Sequence, residues 1–311
     1  MFWNVVLLLV GFVLLIKGAD FFVDGSSSVA KILGVPGFVI GLTIVAMGTS
    51  APEAAVSITA GVQGSNEIAI SNVVGSNIFN LLVVAGICAV IKPYSIEKVM
   101  LKRDFPVNIA VNALLLVMMY LGKALGLIDG IALLVLFALY LFFVVFSAMK
   151  NKETQEDDVK KISPLLSVVF IIGGLAAVIF GGNLVVNNAK EIALALGWSE
   201  TFIGLTIIAI GTSLPELVTS VVAARKGESG LALGNVIGSN IFNIMLILGL
   251  SSTLNTIAVD SVAIINVVIL LVVTALVYVA CLVKKGMGRV VGGVCVLGYA
   301  AYTAYLLMNT I

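Results

Sequence analysis

Apolar residues in this chain come in long unbroken runs, neither alternating as in a half-buried strand nor confined to one stripe of a soluble helix. Ten such runs, separated by short polar breaks, predict helices over roughly residues 3–30, 38–62, 68–90, 105–121, 127–149, 164–190, 201–224, 230–250, 259–283 and 290–309. Each meets the requirement of about 17–25 residues to cross a hydrocarbon core. The first run opens on Met-Phe-Trp-Asn, with no basic region and no small-residue cleavage site after a short apolar core, so it is retained as a span and not as a secretory signal. The expected fold class is an all-α polytopic membrane protein with ten transmembrane helices. The sizeable hydrophilic stretch between Lys150 and Lys161, NKETQEDDVKK, divides it into a first half (1–149), a linker (150–163) and a second half (164–311).

Composition agrees. Of 311 residues, 61% are hydrophobic and 11% charged, against about half and about a quarter in a soluble domain. The mean hydropathy is +1.21. A net charge of +1 gives no footprint for nucleic acid. The absence of histidine removes Ser-His-Asp hydrolysis, Cys-His proteolysis and His-ligated zinc together. Cys88, Cys281 and Cys295 each stand alone in an apolar run and read as packing residues. No Gly-rich phosphate loop is present, so neither ATP nor any cofactor is expected. Fourteen Lys and Arg fall in loops on the side away from the N-terminus, against Lys123 and Lys190 on the N-terminal side; Lys17 lies within the first run. The positive-inside rule then places both termini outside and the linker in the cytoplasm.

The chain also contains itself twice. Residues 40–80 (IGLTIVAMGTSAPEAAVSITAGVQGSNEIAISNVVGSNIFN) and 203–243 (IGLTIIAIGTSLPELVTSVVAARKGESGLALGNVIGSNIFN) align without a gap at an offset of 163, and 23 of 41 positions are identical. The match extends weakly upstream, with Gly18 facing Gly181 and Gly34 facing Gly197. Five spans per half is an odd number, so the halves are expected to enter the membrane from opposite sides. That is the inverted-topology plan of many secondary transporters, in which a site between the halves opens alternately to each face.

Glu53 and Glu216 sit at matching places deep within apolar spans. A carboxylate there is expensive unless it faces water, a bundle interior or a cation. The competing reading is a protonated carboxylate that hydrogen-bonds helices together; a symmetric pair inside a repeated motif argues against it. On a continuous helix Thr49, Ser50, Glu53 and Ser57 share one face, as do Thr212, Ser213, Glu216 and Ser220. In the next span Asn72, Ser76 and Asn80, with Asn77 beside them, are matched by Asn235, Ser239, Asn243 and Asn240. These hydroxyl, amide and carboxylate oxygens suit hard cations such as Ca²⁺, although Ser, Thr and Asn also bind helices to one another. Pro52 and Pro215 lack an N–H, which frees the carbonyls of Gly48 and Gly211 for a cavity or an ion.

These two stretches resemble the paired alpha-repeats of the Ca²⁺/cation antiporter superfamily, and most closely its prokaryotic sodium/calcium exchangers. The resemblance implies an exchanger in a prokaryotic inner membrane whose carboxylates, Glu53 and Glu216, are shared between Ca²⁺ and Na⁺. It implies hydroxyl ligands at Thr49, Ser50, Ser76, Thr212, Ser213 and Ser239, carbonyl ligands at Ala46 and Ala209, and Asn80 and Asn243 completing the central site. Some members carry an acid where this chain has Asn243, the potassium-dependent branch among them; its absence weakens any case for K⁺ co-transport. The implied partners are the transported cations and the bilayer, with a monomer expected.

The residues leave the driving ion open between Na⁺ and H⁺, since buried carboxylates carry either. The abundance of hydroxyls favours a metal. A cation channel fits less well, with no four-fold filter sequence, and a membrane enzyme would have no base except the two Glu. Asp20 and Asp24, facing Asn183 and Asn187 of the second half, read as solvated at the outer end of the first span.

Overall fold

In the computed structural model, residues 1–64, 66–150, 162–198, 207 and 209–310 are described, and nearly all of them are helical. α1 is Phe2–Leu33. α2 (Gly37–Thr49) and α3 (Ala51–Val62) are two pieces bent by 51°. α4 begins as Asn66–Phe79, widens into a π-helical turn at Asn80–Val84 and continues as Ala85–Ile91. α5 (Met100–Gly122), α6 (Leu127–Lys150) and α7 (Pro164–Ala195) follow. After one helical turn at Ala209–Gly211 come α8 (Leu214–Lys226), α9 (Ser229–Leu254), α10 (Ser261–Lys284) and α11 (Arg289–Thr310). Residues 151–161 of the expected linker, and 201–206 and 208 of the seventh expected span, lie outside the described residues.

Eight of these helices are long and apolar enough to cross a membrane, and nine if α2 and α3 count as one span. Starts are set by local chemistry. Ser163 accepts from the Leu166 N–H with Pro164 next in line, and Asp260 accepts from the Ala263 N–H at 2.7 Å, so both cap a helix whose first N–H groups have no helical partner. Gly34 and Gly197, a matched pair upstream of the strong repeat, both have positive φ (66° and 85°) just past the ends of α1 and α7. Glycine adopts that conformation without the Cβ penalty, so the repeat preserves a helix stop.

Burial sorts the helices. In the most apolar window of α1, α6, α7 and α10, 28% of residues are buried, against 78% for α4 and 94% for α9. Large apolar side chains such as Phe142, Phe143 and Val290 are exposed, as lipid-facing residues are. α4 and α9, which carry the second halves of the repeated motif, therefore form the centre.

Two packings relate the halves. Gly11 lies against Gly181, Gly18 against Gly174 and Gly25 against Ser167, one position rising as the other falls, so α1 and α7 run antiparallel. A Cβ added at Gly18 would come within 2.9 Å of the Gly174 carbonyl oxygen, so small residues are what let these helices meet. α2 and α9 run parallel, with Gly41 on Leu231, Gly234 on Phe38 and Gly238 on Leu42. Four two-residue strands join the connecting loops: β1 (Tyr94–Ser95) pairs with β4 (Gly286–Met287), and β2 (Ala124–Leu125) with β3 (Ile257–Ala258), both antiparallel.

The three cysteines are buried and unpaired. Asp20 and Asp24 are partly exposed, as solvated residues are. They lie in the second half of α1, away from its N-terminal end, and meet Lys226 at the end of α8. Arg103 and Asp104 form a further ion pair at 2.8 Å, with Tyr140 donating to Asp104 at 3.1 Å.

Candidate ion-binding site

The break between α2 and α3 falls at Ser50 (φ −79°, ψ 9°), two residues before Pro52, and the corresponding break falls at Ser213, two before Pro215. This corrects the reading of one continuous helical face. Proline removes an N–H and crowds the preceding turn. Thr49 and Ser50 therefore end one helical piece while Glu53 stands in the first turn of the next, where the positive end of the helix dipole favours a carboxylate. Glu216 occupies the same place in α8. Ser57 accepts from Asn72 at 2.8 Å, and Ser220 accepts from Asn235 at 2.9 Å.

Because the chain bends there, the serines reach across the molecule. Ser50 donates to Glu216 Oε1 at 2.7 Å, and Ser213 donates to Glu53 Oε1 at 2.9 Å. Each carboxylate is thus gripped by the serine three residues before its counterpart. Ser76 also donates to Glu53 Oε1, at 3.3 Å. Both glutamates and all three serines are buried, and Oε2 of each glutamate has no hydrogen-bond partner among the described residues.

Four asparagines on α4 and α9 form a second reciprocal set. Asn77 donates to the Asn240 carbonyl at 3.1 Å and Asn240 to the Asn77 carbonyl at 3.2 Å. Asn80 donates to Asn240 Oδ1 at 3.2 Å, and Asn243 to Asn77 Oδ1 at 3.0 Å. The amide nitrogens of Asn80 and Asn243 are used in this ring, while their Oδ1 atoms are buried with no partner among the described residues. Asn77 and Asn240 were absent from the expected ligands. They orient the two that were expected, and their place in the repeated Gly-Ser-Asn-Ile-Phe-Asn was the available signal. The π-helical turns starting at Asn80 and Asn243 had no signal in the hydrophobic pattern; such turns are frequent at functional sites.

The remaining expected residues divide unevenly. Thr49 donates within 3.1 Å of the Val45 carbonyl and 3.0 Å of Asn235 Oδ1. Thr212 Oγ1 and Ser239 Oγ are buried with no partner among the described residues. The Ala46 carbonyl accepts from the Ser50 N–H at 3.1 Å. Ala209 begins the helical turn before Ser213, and its side chain lies outside the description.

Among the expected ligands, six buried oxygens thus have no hydrogen-bond partner among the described residues: Glu53 Oε2, Glu216 Oε2, Asn80 Oδ1, Asn243 Oδ1, Thr212 Oγ1 and Ser239 Oγ. Leaving buried polar atoms unpaired is unfavourable, more so for charged ones. Two are carboxylate and two amide oxygens, so the set fits a dehydrated hard cation. Among the described residues no three of His, Cys, Asp and Glu gather as in a tight resident metal centre.

Comparison with known proteins agrees. The sodium/calcium exchanger protein family matches residues 3–146 and again 166–308. The chain belongs to this family. Relatives of this exchanger-family chain include the sodium/calcium exchanger MaX1 of Methanosarcina acetivorans, 36% identical over 84% of this chain and 86% of that one. The putative antiporter CaxA of Alkalimonas amylolytica is 39% identical, covering 98% of both chains. A structure of the sodium-calcium exchanger NCX_Mj soaked with 2.5 mM Na⁺ and 10 mM Sr²⁺ superposes with a TM-score of 0.87 at 36% identity, covering 97% of this chain and 98% of that one. Membership makes this chain an integral membrane protein of a cation-antiport family.

Proposed function

We propose that the protein exchanges Ca²⁺ for Na⁺ by alternating access, with Glu53 and Glu216 shared between the two ions. The observation that carries this reading is the crossed grip on the glutamates. Each has one oxygen held by a serine of the other half, and the other oxygen is buried with no partner among the described residues. Ions binding there draw on both halves at once, as a site between two moving repeats requires. Thr49, Ser50, Ser76, Asn80, Thr212, Ser213, Ser239 and Asn243, with the carbonyls of Ala46 and Ala209, supply the remaining oxygens. The ion conditions named for the NCX_Mj structure, Na⁺ with Sr²⁺, point to the same pair of ion classes.

Ten spans arranged as two inverted five-helix repeats, 1–149 and 164–311 joined by the 150–163 linker, are the architecture of this reading. Its support is the double family match, the antiparallel packing of α1 on α7 and the reciprocal hydrogen bonds. The charge bias of the loops places both termini outside a prokaryotic inner membrane and the linker in the cytoplasm. Cysteine labelling on a Cys-free background is expected to find residue 155 cytoplasmic and residue 310 external; both on one side would break the inverted arrangement.

Charge arithmetic sets the coupling. Two ionised carboxylates are neutralised by one Ca²⁺ or by two Na⁺. The flanking hydroxyls and carbonyls of each half offer additional places, so a sodium-loaded state with more than two Na⁺ carries net positive charge. Moving one charge is worth about 2.3 kcal/mol per 100 mV, so an inside-negative potential drives Ca²⁺ out. With asparagine at both 80 and 243, K⁺ is not required.

The test is ⁴⁵Ca uptake into vesicles carrying the purified chain. Uptake is expected under an outward Na⁺ gradient without K⁺, and to respond to an imposed potential. Uptake driven only by an outward H⁺ gradient would replace Na⁺ with protons, and a voltage-independent equilibrium would refute the electrogenic scheme.

A further inference from the structure

At the end of α8 the two halves meet through charges. Lys226 Nζ lies 2.7 Å from Asp24 Oδ1, 3.4 Å from Asp20 Oδ1 and 3.0 Å from the Asp20 carbonyl oxygen. Lys17 lies 4.0 Å from Asp20 Oδ2, and Glu228 is within electrostatic reach of both Lys226 and Asp24. The cluster ties α1, in the first half, to α8, in the second.

The repeat offset identifies the equivalent place at the opposite end. Position by position, Lys17, Asp20, Asp24, Lys226 and Glu228 correspond to Phe180, Asn183, Asn187, Gln63 and Ser65. Every charge has become an uncharged residue. The charges that α7 does carry nearby, Lys190 and Glu191, make no ion pair among the described residues. The candidate ion site thus has matching partners in both halves, whereas among the described residues this contact is found at one end alone.

We propose that Asp20, Asp24 and Lys226 form a one-sided electrostatic latch that favours closure of the cytoplasmic end and so sets the difference in apparent ion affinity between the two faces. The inference rests on the alternating-access reading. In a pair of perfectly equivalent halves, closing one end and closing the other have equal energy. A bridge present at one end adds to one state only, and a ligand or contact shifts a two-state equilibrium by its differential free energy between the states. The shift needed is small. Partly exposed ion pairs contribute modestly and are screened by salt, which keeps the latch openable on each cycle. These are positioning residues: they touch no transported ion and act through the contact of α1 with α8.

The test compares half-saturating Ca²⁺ at each face of oriented vesicles. Lys226→Gln and Asp24→Asn are expected to lower the cytoplasmic value and raise the external one, changing their ratio about two- to fivefold. The charge swap Asp24→Lys with Lys226→Asp should restore the ratio. Building the latch at the opposite end, with Asn187→Asp and Gln63→Lys, favours closure of the external end and should move the ratio in the same direction as loss of the native latch, which a merely structural contact would not do. An unchanged ratio in K226Q and D24N, with ⁴⁵Ca self-exchange intact, would overturn the latch. If the wild-type chain carries no Ca²⁺, the alternating-access reading falls instead. Hydrogen–deuterium exchange at residues 20–28 then judges the latch: several-fold faster exchange in K226Q supports it, and equal exchange overturns it.

Discussion

Residues 40–80 and 203–243 present nearly the same chemistry to the middle of the molecule. Glu53 and Glu216 exchange serines, Asn77 and Asn240 exchange backbone carbonyls, and Asn72 and Asn235 each reach the serine of their own half. Away from that centre the halves diverge. Asp20, Asp24 and Lys226 face neutral counterparts, and Arg103, ion-paired with Asp104, faces Asn266 at the same offset of 163. On the proposed exchange cycle, ions shared by the two states would have to see an equivalent cage from both sides, which would hold the centre to symmetry. The periphery only has to choose between conformers, and a choice needs asymmetry.

The largest effect is expected where the comparison is tightest. Glu53→Gln and Glu216→Gln should each abolish calcium exchange, by at least about a hundredfold in ⁴⁵Ca flux, with the protein still folded. Half of the formal charge facing a dehydrated divalent ion is gone, and Coulomb interactions are strong at low dielectric. Near-normal flux in either variant would break the symmetric site. Next, Ser50→Ala and Ser213→Ala should weaken Ca²⁺ binding alike. A hydrogen bond to a charged group is worth about 1.5–3 kcal/mol, or about ten- to a hundredfold in affinity. A loss in one variant alone would show that the crossed grip is not reciprocal.

Smaller effects sharpen the contrast. Asn77→Ala and Asn240→Ala remove the groups that orient Asn243 and Asn80, and each should weaken binding by about tenfold, near the worth of one neutral hydrogen bond. The threonines should differ. Thr49→Val loses the bond to Asn235 and should lower stability by about 1 kcal/mol in a thermal unfolding curve. Thr212 Oγ1 has no partner to lose among the described residues, so Thr212→Val should leave the curve in place while weakening ion binding a few-fold. Equal destabilisation by both would erase this difference between the halves.

Much of this was legible in the sequence, and the limits are physical. Long apolar runs specify helices because lipid leaves backbone groups no other partner, so the expected spans fall close to the observed helices. The repeat revealed the paired glutamates and asparagines. What it did not reveal was which partner each hydroxyl takes. Thr49, Ser50 and Glu53 share a face only if the helix continues, and Pro52 breaks it, so Ser50 reaches Glu216 and not its own half. The two-residue strands Tyr94–Ser95 and Gly286–Met287 are too short to show alternation. The contact of Asp24 with Lys226 joins residues 202 positions apart, a pairing that only the folded chain creates.

The most direct test of the account is equilibrium ⁴⁵Ca binding to the purified chain, titrated with Na⁺ at constant ionic strength. A shared carboxylate pair predicts about one Ca²⁺ bound per chain and complete displacement by Na⁺. That displacement should be steeper than first order, because more than one Na⁺ replaces each Ca²⁺, and binding should be lost in Glu53→Gln and in Glu216→Gln. Calcium binding that Na⁺ leaves untouched, or that survives either substitution, would contradict it.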